Sequence, residues 1–273
     1  MQSKSQDKPQ PDRNERRFRI NVTDIVDVAI GLAVILAGWQ IVFWLKVYPP
    51  SIFPSPSTTL NTFLRLIRAG TLPTDAYTTG YRLVAGFALV MVIGMAVGVL
   101  MVKFKRFGRT MASFSLGLQA FPSIAWVPFA ILIVGLNDYG IIFVIVMSSA
   151  FSVMLSTYSG LRNIPPIYLK AASNMGAHRI ALLTNVMLPA SMPSLITGMR
   201  QAWSFSWHAV IGAEMVMGTV SGLGFALIYG WDFLRMDVVI ASMITVFIIG
   251  FVVDRLIFFR LERSVRSKWG LAS

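Results

Sequence analysis

The sequence predicts an all-α polytopic membrane protein with six transmembrane helices. Three observations predict this fold class: 55% of the 273 residues are hydrophobic, only 13% are charged, and the apolar residues gather in six long windows. A soluble domain carries about 25% charged residues, so half that fraction points to a lipid environment. The chain has no cysteine, which excludes disulfides, iron–sulfur clusters and zinc sites built from thiolates.

Each predicted span has roughly the length that an α-helix needs to cross a hydrocarbon core about 30 Å thick. Pro122 and Pro128 interrupt the third span. Proline is tolerated in a membrane helix where protein or water satisfies the freed carbonyl group, so we expect this span to face protein or a pathway. The six windows are approximately 27–45, 83–102, 111–134, 140–158, 195–217 and 238–258.

The distribution of basic residues predicts that both chain ends lie in the cytoplasm. Eighteen of the 24 Lys and Arg residues fall in the N-terminal tail, the loop 103–109, the segment 159–194 and the C-terminal end, and five fall on the opposite side. Lys and Arg favour cytoplasmic loops. An even number of spans returns the chain to its starting side. The net charge of +12 is therefore assigned to membrane orientation rather than to nucleic-acid binding.

The distribution of spans and charges predicts that the chain consists of a transmembrane domain between two cytoplasmic tails. Residues 1–24 are a basic cytoplasmic tail whose polar composition predicts disorder, residues 25–260 are the transmembrane domain, and residues 261–273 are a cytoplasmic C-terminal tail. Between the first two spans, apolar residues recur at helical spacing over 57–67, which predicts a short amphipathic helix along the outer membrane surface.

The segment between the fourth and fifth spans is predicted to form an elbow of two short helices. One helical stretch follows Pro165 and Pro166, and a second follows Gly176. A glycine in the left-handed conformation ends a helix readily, so Gly176 is expected to close the first stretch. An elbow that projects from the membrane could be bound by another protein. The residue pattern alone is equally compatible with an elbow that packs against its own helix bundle.

The spacing within this elbow resembles the EAA motif of binding-protein-dependent ABC importer permeases, Glu-Ala-Ala-x3-Gly-x9-Ile-x-Leu-Pro. The matching positions are Ala171, Ala172, Gly176, Val186, Leu188 and Pro189. The stretches IFPSPSTTL, AFPSIAWVPFAILIVGLND and AWSFSWHAVIGAEMVMGTVSGLGFAL are similar to the branch of that family that imports nitrate, sulfonates, taurine and bicarbonate. Together the resemblance covers about residues 30–260.

This resemblance implies a type I importer fold of the MetI-like class in the inner membrane of a bacterium. It implies two copies of this subunit around a central path, a pair of cytoplasmic ATPase subunits or domains that hold ATP and Mg²⁺, and an external solute-binding protein. Segment 161–190 is the expected ATPase contact, with coupling residues Lys170, Ala171, Ala172, Gly176, Leu188 and Pro189. Lys170 replaces the family's Glu and reverses the charge there.

The chain lacks the sequence features of an ATPase or a membrane protease. It contains no G-x-x-x-x-G-K-[ST] phosphate loop, and neither of its histidines, His178 and His208, has a metal-binding companion at i+4. We therefore predict a transport subunit with no cofactor or metal of its own. The alternative from another class is a polytopic membrane enzyme or sensor scaffold in which the elbow is a regulatory contact.

Polar and aromatic residues on one face of the fifth span are candidates for the translocation path. These residues are Arg200, Trp203, Ser204, Trp207 and Glu214. Two interpretations stay open for Arg200, for Glu214 and for the two tryptophans. Arg200 either snorkels to the cytoplasmic surface or lines the path, Glu214 either pairs with Arg82 or contacts solute, and the tryptophans either pack or contact solute.

The spans contain few acidic residues, which favours passage of an anion. Together with Arg200 and the neighbouring hydroxyl and indole donors, this predicts a small oxyanion as solute: nitrate, a sulfonate such as taurine, or bicarbonate. A neutral pyrimidine-like vitamin precursor is the alternative, because permeases for such solutes share much of this pattern.

Overall fold

The computed structural model describes residues 22–268, and every regular element in that range is helical. Most of the predicted tail 1–24 and residues 269–273 lie outside this range. The helices are α1 (Val22–Trp44), α2 (Pro56–Arg68), α3 (Thr71–Lys103), α4 (Lys105–Gln119), α5 (Val127–Ile133), α6 (Asp138–Arg162), α7 (Pro166–Asn174), α8 (Arg179–Leu182), α9 (Leu188–Met217), α10 (Leu223–Asp232), α11 (Met236–Val253) and α12 (Phe259–Lys268). A 3₁₀ turn covers Ser123–Trp126, and π-helical turns cover Leu183–Met187 and Asp254–Phe258.

The chain divides into two units at the junction of Pro56 and Ser57. The first unit contains α1, which carries the first predicted span. The segment that follows α1 folds back onto it. The indole N–H of Trp39 in α1 donates to the Pro54 carbonyl oxygen at 2.9 Å, and the Trp39 ring contacts the Phe53 ring edge-on. All other helices belong to the second unit.

The predicted all-helical polytopic fold is confirmed, with five helices able to cross a membrane and six spans if one bent pair of helices counts as a single span. Five stretches are long and apolar enough to cross a membrane: α1, α3, α6, the helix ending with α9 and the helix beginning with α11. The sixth is the pair α4 and α5, which is bent by 107°. Pro122 precedes the 3₁₀ turn at this bend, and Pro128 lies in the first turn of α5, so the break falls at the predicted prolines.

The predicted start of the second span is wrong, because α3 begins at Thr71 rather than near residue 83. The early part of α3 contains the polar residues Asp75, Thr79 and Arg82, which lower the local hydropathy. Their side chains are buried and have polar partners within the protein. The helix therefore continues through a stretch whose composition alone does not indicate a span.

The predicted start of the fifth span is also wrong. The predicted window begins at residue 195, but the helix is continuous from Ile180 to Met217 and contains Pro189 and Pro193. Proline removes a backbone donor and collides with the carbonyl group four residues earlier. The π-helical turn before Pro189, in which the Leu188 N–H bonds to the Leu183 carbonyl oxygen, widens the helix there and accommodates the ring.

Helix α6 is the centre of the second unit, because α3 and α9 both pack along it. Small residues allow these close approaches. A Cβ atom placed on Gly94 of α3 would lie 2.6 Å from the Val153 Cβ of α6, and one on Gly98 would lie 2.5 Å from the Thr157 Cβ. Membrane helices lack a hydrophobic force that drives them together, so such backbone proximity supplies the van der Waals contact that joins them.

The contact between α6 and α9 follows the same rule. Gly198 of α9 lies directly against Ser156 of α6, without room for a Cβ atom. Deeper in the interface, the Ser206 hydroxyl donates to the Ser149 hydroxyl at 2.9 Å, and both residues are fully buried. A hydrogen bond between spans adds roughly 0.6–2 kcal/mol in lipid.

Replacing Gly94 by Ala should destabilise the protein by about 1–3 kcal/mol, because the added methyl group overlaps Val153 and forces α3 away from α6. The matched control is Gly80→Ala in the same helix, where a Cβ atom meets nothing within 4 Å. That control should be neutral or slightly stabilising, since Ala favours helix over Gly. Unfolding of the two purified variants in detergent measures the difference, and equal stability would contradict this packing.

Candidate functional site

The turn of the elbow is a Schellman motif, and it explains the spacing between Ala172 and Gly176. Gly176 has φ of +84°, which confirms the predicted left-handed conformation. The Ala177 N–H donates to the Ala172 carbonyl oxygen, and the Gly176 N–H donates to the Ser173 carbonyl oxygen, both at 3.0 Å. These two bonds satisfy the last carbonyl groups of α7. The spacing thus fixes where α7 stops and the chain turns.

The elbow presents apolar side chains that no described residue of the second unit covers. Met175 is 88% exposed, and Ile167, Tyr168 and Ile180 are also exposed. Of the predicted coupling residues, Lys170 and Ala171 are exposed, whereas Ala172 is 8% exposed and packs inward. Exposed apolar side chains grouped on one projection indicate a surface for another protein.

The elbow is joined to the span α9 without a flexible link. Leu188 and Pro189, the last two residues of the EAA-like pattern, lie at the start of α9 and are partly buried. The helix runs continuously from Ile180 through them into the membrane. The second half of the elbow and α9 therefore form one continuous helix.

A buried ionic cluster joins α3, α6 and α9 at the end of α9 distant from the elbow. Arg82 is 3% exposed and Glu214 is 0% exposed, and their ion pair measures 2.8 Å. The same guanidinium group pairs with Asp138 at 2.8 Å and donates to the Ser221 carbonyl oxygen at 2.8 Å. Of the two roles left open for Glu214, the ion pair with Arg82 is present.

The loop that connects α9 to α10 is held by the same cluster. The Gly224 N–H donates to the Glu214 carboxylate at 2.9 Å, and the Thr79 hydroxyl donates to it at 2.9 Å. The Asp75 carboxylate accepts the Gly222 N–H at 3.0 Å. Gly222 has φ of +134°, and a Cβ atom there would lie 2.6 Å from the Glu214 carboxylate, so only glycine fits.

Arg200 is held in a second ionic cluster at the elbow end of α9. It makes two hydrogen bonds of 2.8 Å to the Asp254 carboxylate and one of 3.2 Å to Glu262. This arrangement ties α9 to the helix that starts with α11. Neither interpretation offered for Arg200 from the sequence included these partners, because Asp254 and Glu262 lie 54 and 62 positions away in the chain.

The predicted path face of α9 is largely packed within the unit. Trp203 lies edge-on against Phe87 with 5.3 Å between ring centroids, and it also contacts Phe258 at 5.6 Å. Trp207 packs against the apolar core. Ser204, in contrast, is exposed. The path role of these residues stays a prediction.

The exposed face of α9 carries polar side chains. Gln201, Ser204 and His208 follow each other at helical spacing and are exposed. The His208 Nδ1 atom lies 2.7 Å from the Ser204 carbonyl oxygen. Lipid-facing positions in the middle of a span are normally apolar, so this polar stripe indicates a protein or solute neighbour.

The described residues contain no group of three His, Asp or Glu side chains able to hold a metal ion. Several carboxylates of the described residues, Asp138, Glu214, Asp237, Asp254 and Glu262, are held in ion pairs. Outside the spans, the hydrogen bonds from Arg235 to Asp237 raise the pKa of the Arg235 guanidinium group above its usual value.

Comparison with known proteins decides the family. Residues 90–267, about two thirds of the chain, match the family described as the inner membrane component of binding-protein-dependent transport systems. The chain belongs to this family. It is accordingly a multi-pass inner-membrane permease, a transport subunit rather than an enzyme, and its family implies an ATPase partner and a binding-protein partner.

Several curated proteins are similar to this permease. A putative ABC transporter permease of Methanocaldococcus jannaschii is 31% identical over 87% of this chain and 90% of its own. A putative aliphatic sulfonates transport permease of Bacillus subtilis is 29% identical over 87% of this chain and 85% of its own. A nitrate import permease of Synechocystis is 28% identical over 92% of this chain and 93% of its own.

A solved structure confirms the fold. The inward-facing MetNI methionine ABC transporter contains a chain that superimposes with a TM-score of 0.58 at 20% identity, covering 72% of this permease and 97% of that chain. The MetI-like fold expected from the EAA-like pattern is therefore correct.

Sequence reasoning missed most of the ionic cluster around Glu214. Asp75, Thr79 and Asp138 were not identified as its members. Asp138 carried a usable signal, because it follows Asn137, whose side chain caps α6 by accepting the Gly140 N–H. A helix start at that point places Asp138 at the same membrane level as Arg82.

Replacing Glu214 by Ala should destabilise the permease by about 3 kcal/mol, because it leaves the buried Arg82 with one carboxylate fewer and frees the loop after α9. The double variant Arg82→Met/Glu214→Leu should lose less stability than the sum of its two single variants, since neither Arg82 nor Glu214 is then left as an unpaired buried charge. Asp138 also loses its partner, but its side chain is 48% exposed and can be solvated.

The matched control is Asp232→Ala, an exposed carboxylate that should change stability by less than about 0.5 kcal/mol. Unfolding of the purified proteins in detergent provides the measurement. If Glu214→Ala behaved like the control, the cluster would have no structural role.

Proposed function

We propose that this permease is one of two identical membrane subunits of an ATP-driven importer for a small oxyanion, such as nitrate, a sulfonate or bicarbonate. An external binding protein delivers the solute, and a pair of ATPase subunits on the cytoplasmic side binds ATP and Mg²⁺. The observation that carries the proposal is the exposed elbow with its EAA-like spacing, joined by one continuous helix to α9.

The proposed orientation places the elbow and both termini in the cytoplasm. It is supported by the 18 basic residues on that side against five on the other. In this orientation the Arg200 cluster lies at the inner end of α9 and the Glu214 cluster lies at its outer end. The two clusters hold α9 to its neighbours within the same subunit.

The proposed coupling uses the elbow as a lever. When the ATPase subunits close on ATP, they move the exposed apolar side chains of the elbow, including Met175 and Ile180. The rigid connection through Leu188 and Pro189 carries this movement to α9. Lys170 is exposed and presents a positive charge where the family pattern has Glu, so the ATPase surface opposite it should tolerate that charge.

The central path is proposed to lie between the two copies, along the polar face of α9. Gln201, Ser204 and His208 supply neutral donors and acceptors there that replace part of a solute's hydration shell. Arg200, Trp203, Trp207 and Glu214 lie behind this face. Of the residues predicted for the path, Ser204 is thus the one best placed to contact solute.

The oxyanion assignment is supported by the names of the relatives that import nitrate and aliphatic sulfonates. The oxyanion assignment does not depend on the charge of Arg200, because Asp254 and Glu262 balance that charge. Neutral hydrogen-bond donors bind an anion weakly enough for it to leave again, as transport requires. A neutral pyrimidine remains the competing solute.

Replacing Gly176 by Val should reduce solute-stimulated ATP hydrolysis of the reconstituted importer at least about tenfold. A β-branched residue at φ of +84° costs about 1–3 kcal/mol, so the Schellman turn opens and the elbow leaves its docking position. Gly176→Asn is the matched control, because Asn tolerates the left-handed conformation, and it should keep more than about half of the activity. Normal coupling in the Val variant would contradict the lever.

Uptake into proteoliposomes that contain the whole importer and its binding protein tests the solute. Nitrate, an aliphatic sulfonate or bicarbonate should accumulate on addition of ATP, whereas a neutral pyrimidine should not. Removing one polar contact by Ser204→Ala should slow uptake about fivefold, consistent with about 1 kcal/mol for a hydrogen bond. The affinity of the binding protein should not change. Ser113→Ala, on the exposed face of α4, is the control. Uptake of the pyrimidine alone would refute the oxyanion assignment.

A further inference from the structure

A cavity of about 460 Å³ lies where the end of α3, the start of α4 and the end of α6 meet. It belongs to neither ionic cluster and is separate from the elbow and from the polar face of α9. Its lining consists of three basic residues, one tyrosine and two apolar residues: Lys105, Arg109, Arg162, Tyr158, Met101 and Val102.

The three cations in this cavity have no carboxylate partner among the described residues. The salt bridges of the described part of the chain involve Arg65, Arg82, Arg200 and Arg235. Lys105, Arg109 and Arg162 take part in none of them, and all three side chains are exposed. Three like charges around one cavity repel each other. Binding of an anion between them relieves this repulsion and is therefore favourable.

Tyr158 fixes one of these cations. The Arg162 Nη1 atom donates to the Tyr158 hydroxyl oxygen at 2.8 Å, and the guanidinium group lies 5.7 Å from the centre of the Tyr158 ring. The tyrosine is 8% exposed, so it anchors Arg162 in place. Because its oxygen accepts from Arg162, its own O–H is free to donate to a bound anion.

The turn between α3 and α4 is fixed on the other side of the cavity. A Cβ atom on Gly108 would collide with the Met101 carbonyl group and would lie 3.0 Å from the Tyr158 ring. Glycine therefore allows the first turn of α4 to approach the end of α3 closely. This packing holds Lys105 and Arg109, one turn apart on α4, on the same side as Arg162.

The chemistry of the lining specifies the ligand. Two guanidinium groups match the oxygen atoms of a phosphate group, and an ammonium group adds a compact positive charge. Met101 and Val102 form an apolar floor beside these charges. A basic pocket beside an apolar surface at the end of membrane spans is suited to a phosphate group that carries hydrocarbon chains.

We propose that this cavity is a binding site for a phosphate group on the cytoplasmic side of the permease. Two sources share this chemistry, the phosphodiester of an anionic lipid headgroup and free inorganic phosphate. The proposal rests on the proposed orientation of the chain. A phosphate bound here bridges the turn between α3 and α4 to the end of α6, and so it stabilises the central helix packing.

The test uses the complete importer purified in detergent and titrated separately with phosphatidylglycerol and with inorganic phosphate, with bound ligand counted by native mass spectrometry. The double variant Lys105→Gln/Arg109→Gln should weaken phosphatidylglycerol binding about twenty-five-fold, because each nearby cation contributes roughly a fivefold factor. The control Lys103→Gln/Arg106→Gln removes the same charges from the same turn but outside the cavity, and it should change binding less than about threefold.

The ligand source follows from the two titrations. Phosphatidylglycerol binding that free phosphate does not displace identifies a lipid site, and displacement by phosphate at low concentration identifies a site for the free anion. Arg162→Lys keeps the charge but loses the planar fork beside Tyr158, so it should weaken binding about tenfold if the cavity holds the phosphate directly.

Three outcomes would overturn the proposal. Equal losses in the double variant and its control would reduce the effect to general surface attraction. Unchanged lipid and phosphate binding with loss of the ATPase subunits from the purified complex would make the cavity a protein contact. No binding of either ligand to the wild-type importer would leave the cavity without this function.

Labelling with an impermeant maleimide separates failure of this proposal from failure of the proposed orientation. In intact cells, Ser57→Cys should react and Ser173→Cys should not, since both positions are exposed and lie on opposite sides. The opposite labelling would refute the orientation and place the cavity outside the cell. The expected labelling combined with no ligand binding would refute the cavity alone.

Discussion

The close approach of α3 and α9 to the central helix α6 is the constraint on which the second unit depends. In lipid, burying apolar surface against protein gains little over burying it against acyl chains, so helices join through backbone proximity and a few hydrogen bonds. Gly94 and Gly98 allow α3 to touch Val153 and Thr157, and Ser206 bonds to Ser149. Because α3, α6 and α9 carry the polar clusters and the elbow is continuous with α9, the packing of these three helices determines where the clusters and the elbow lie.

Two ionic clusters then fix the ends of α9. Charges inside a membrane protein are costly unless each is paired. The cluster around Glu214 meets this requirement by surrounding Arg82 and Glu214 with partners from three helices and from the loop after α9. The cluster at the elbow end of α9 pairs Arg200 with Asp254 and Glu262. These clusters fasten one face of α9 to its neighbours, while Gln201, Ser204 and His208 on another face stay exposed.

The elbow combines a precise turn with an exposed apolar tip. The Schellman bonds from Ala177 and Gly176 fix its shape, while the continuous helix from Ile180 to Met217 fixes its connection to the membrane. The π-helical turn before Pro189 preserves that connection, where an ordinary helix would break.

The sequence by itself determined the class of fold, the approximate spans, the left-handed turn at Gly176 and the family, because these depend on composition and on short spacings along one chain. Only the tertiary structure decided the partners of Arg82 and Arg200, the true start of α3 at Thr71, and which face of α9 is covered. Hydropathy treats a buried, paired charge and a solvated charge alike. Pairing depends on side chains from 54 to 132 positions away in the chain, so it becomes visible only when the helices are packed.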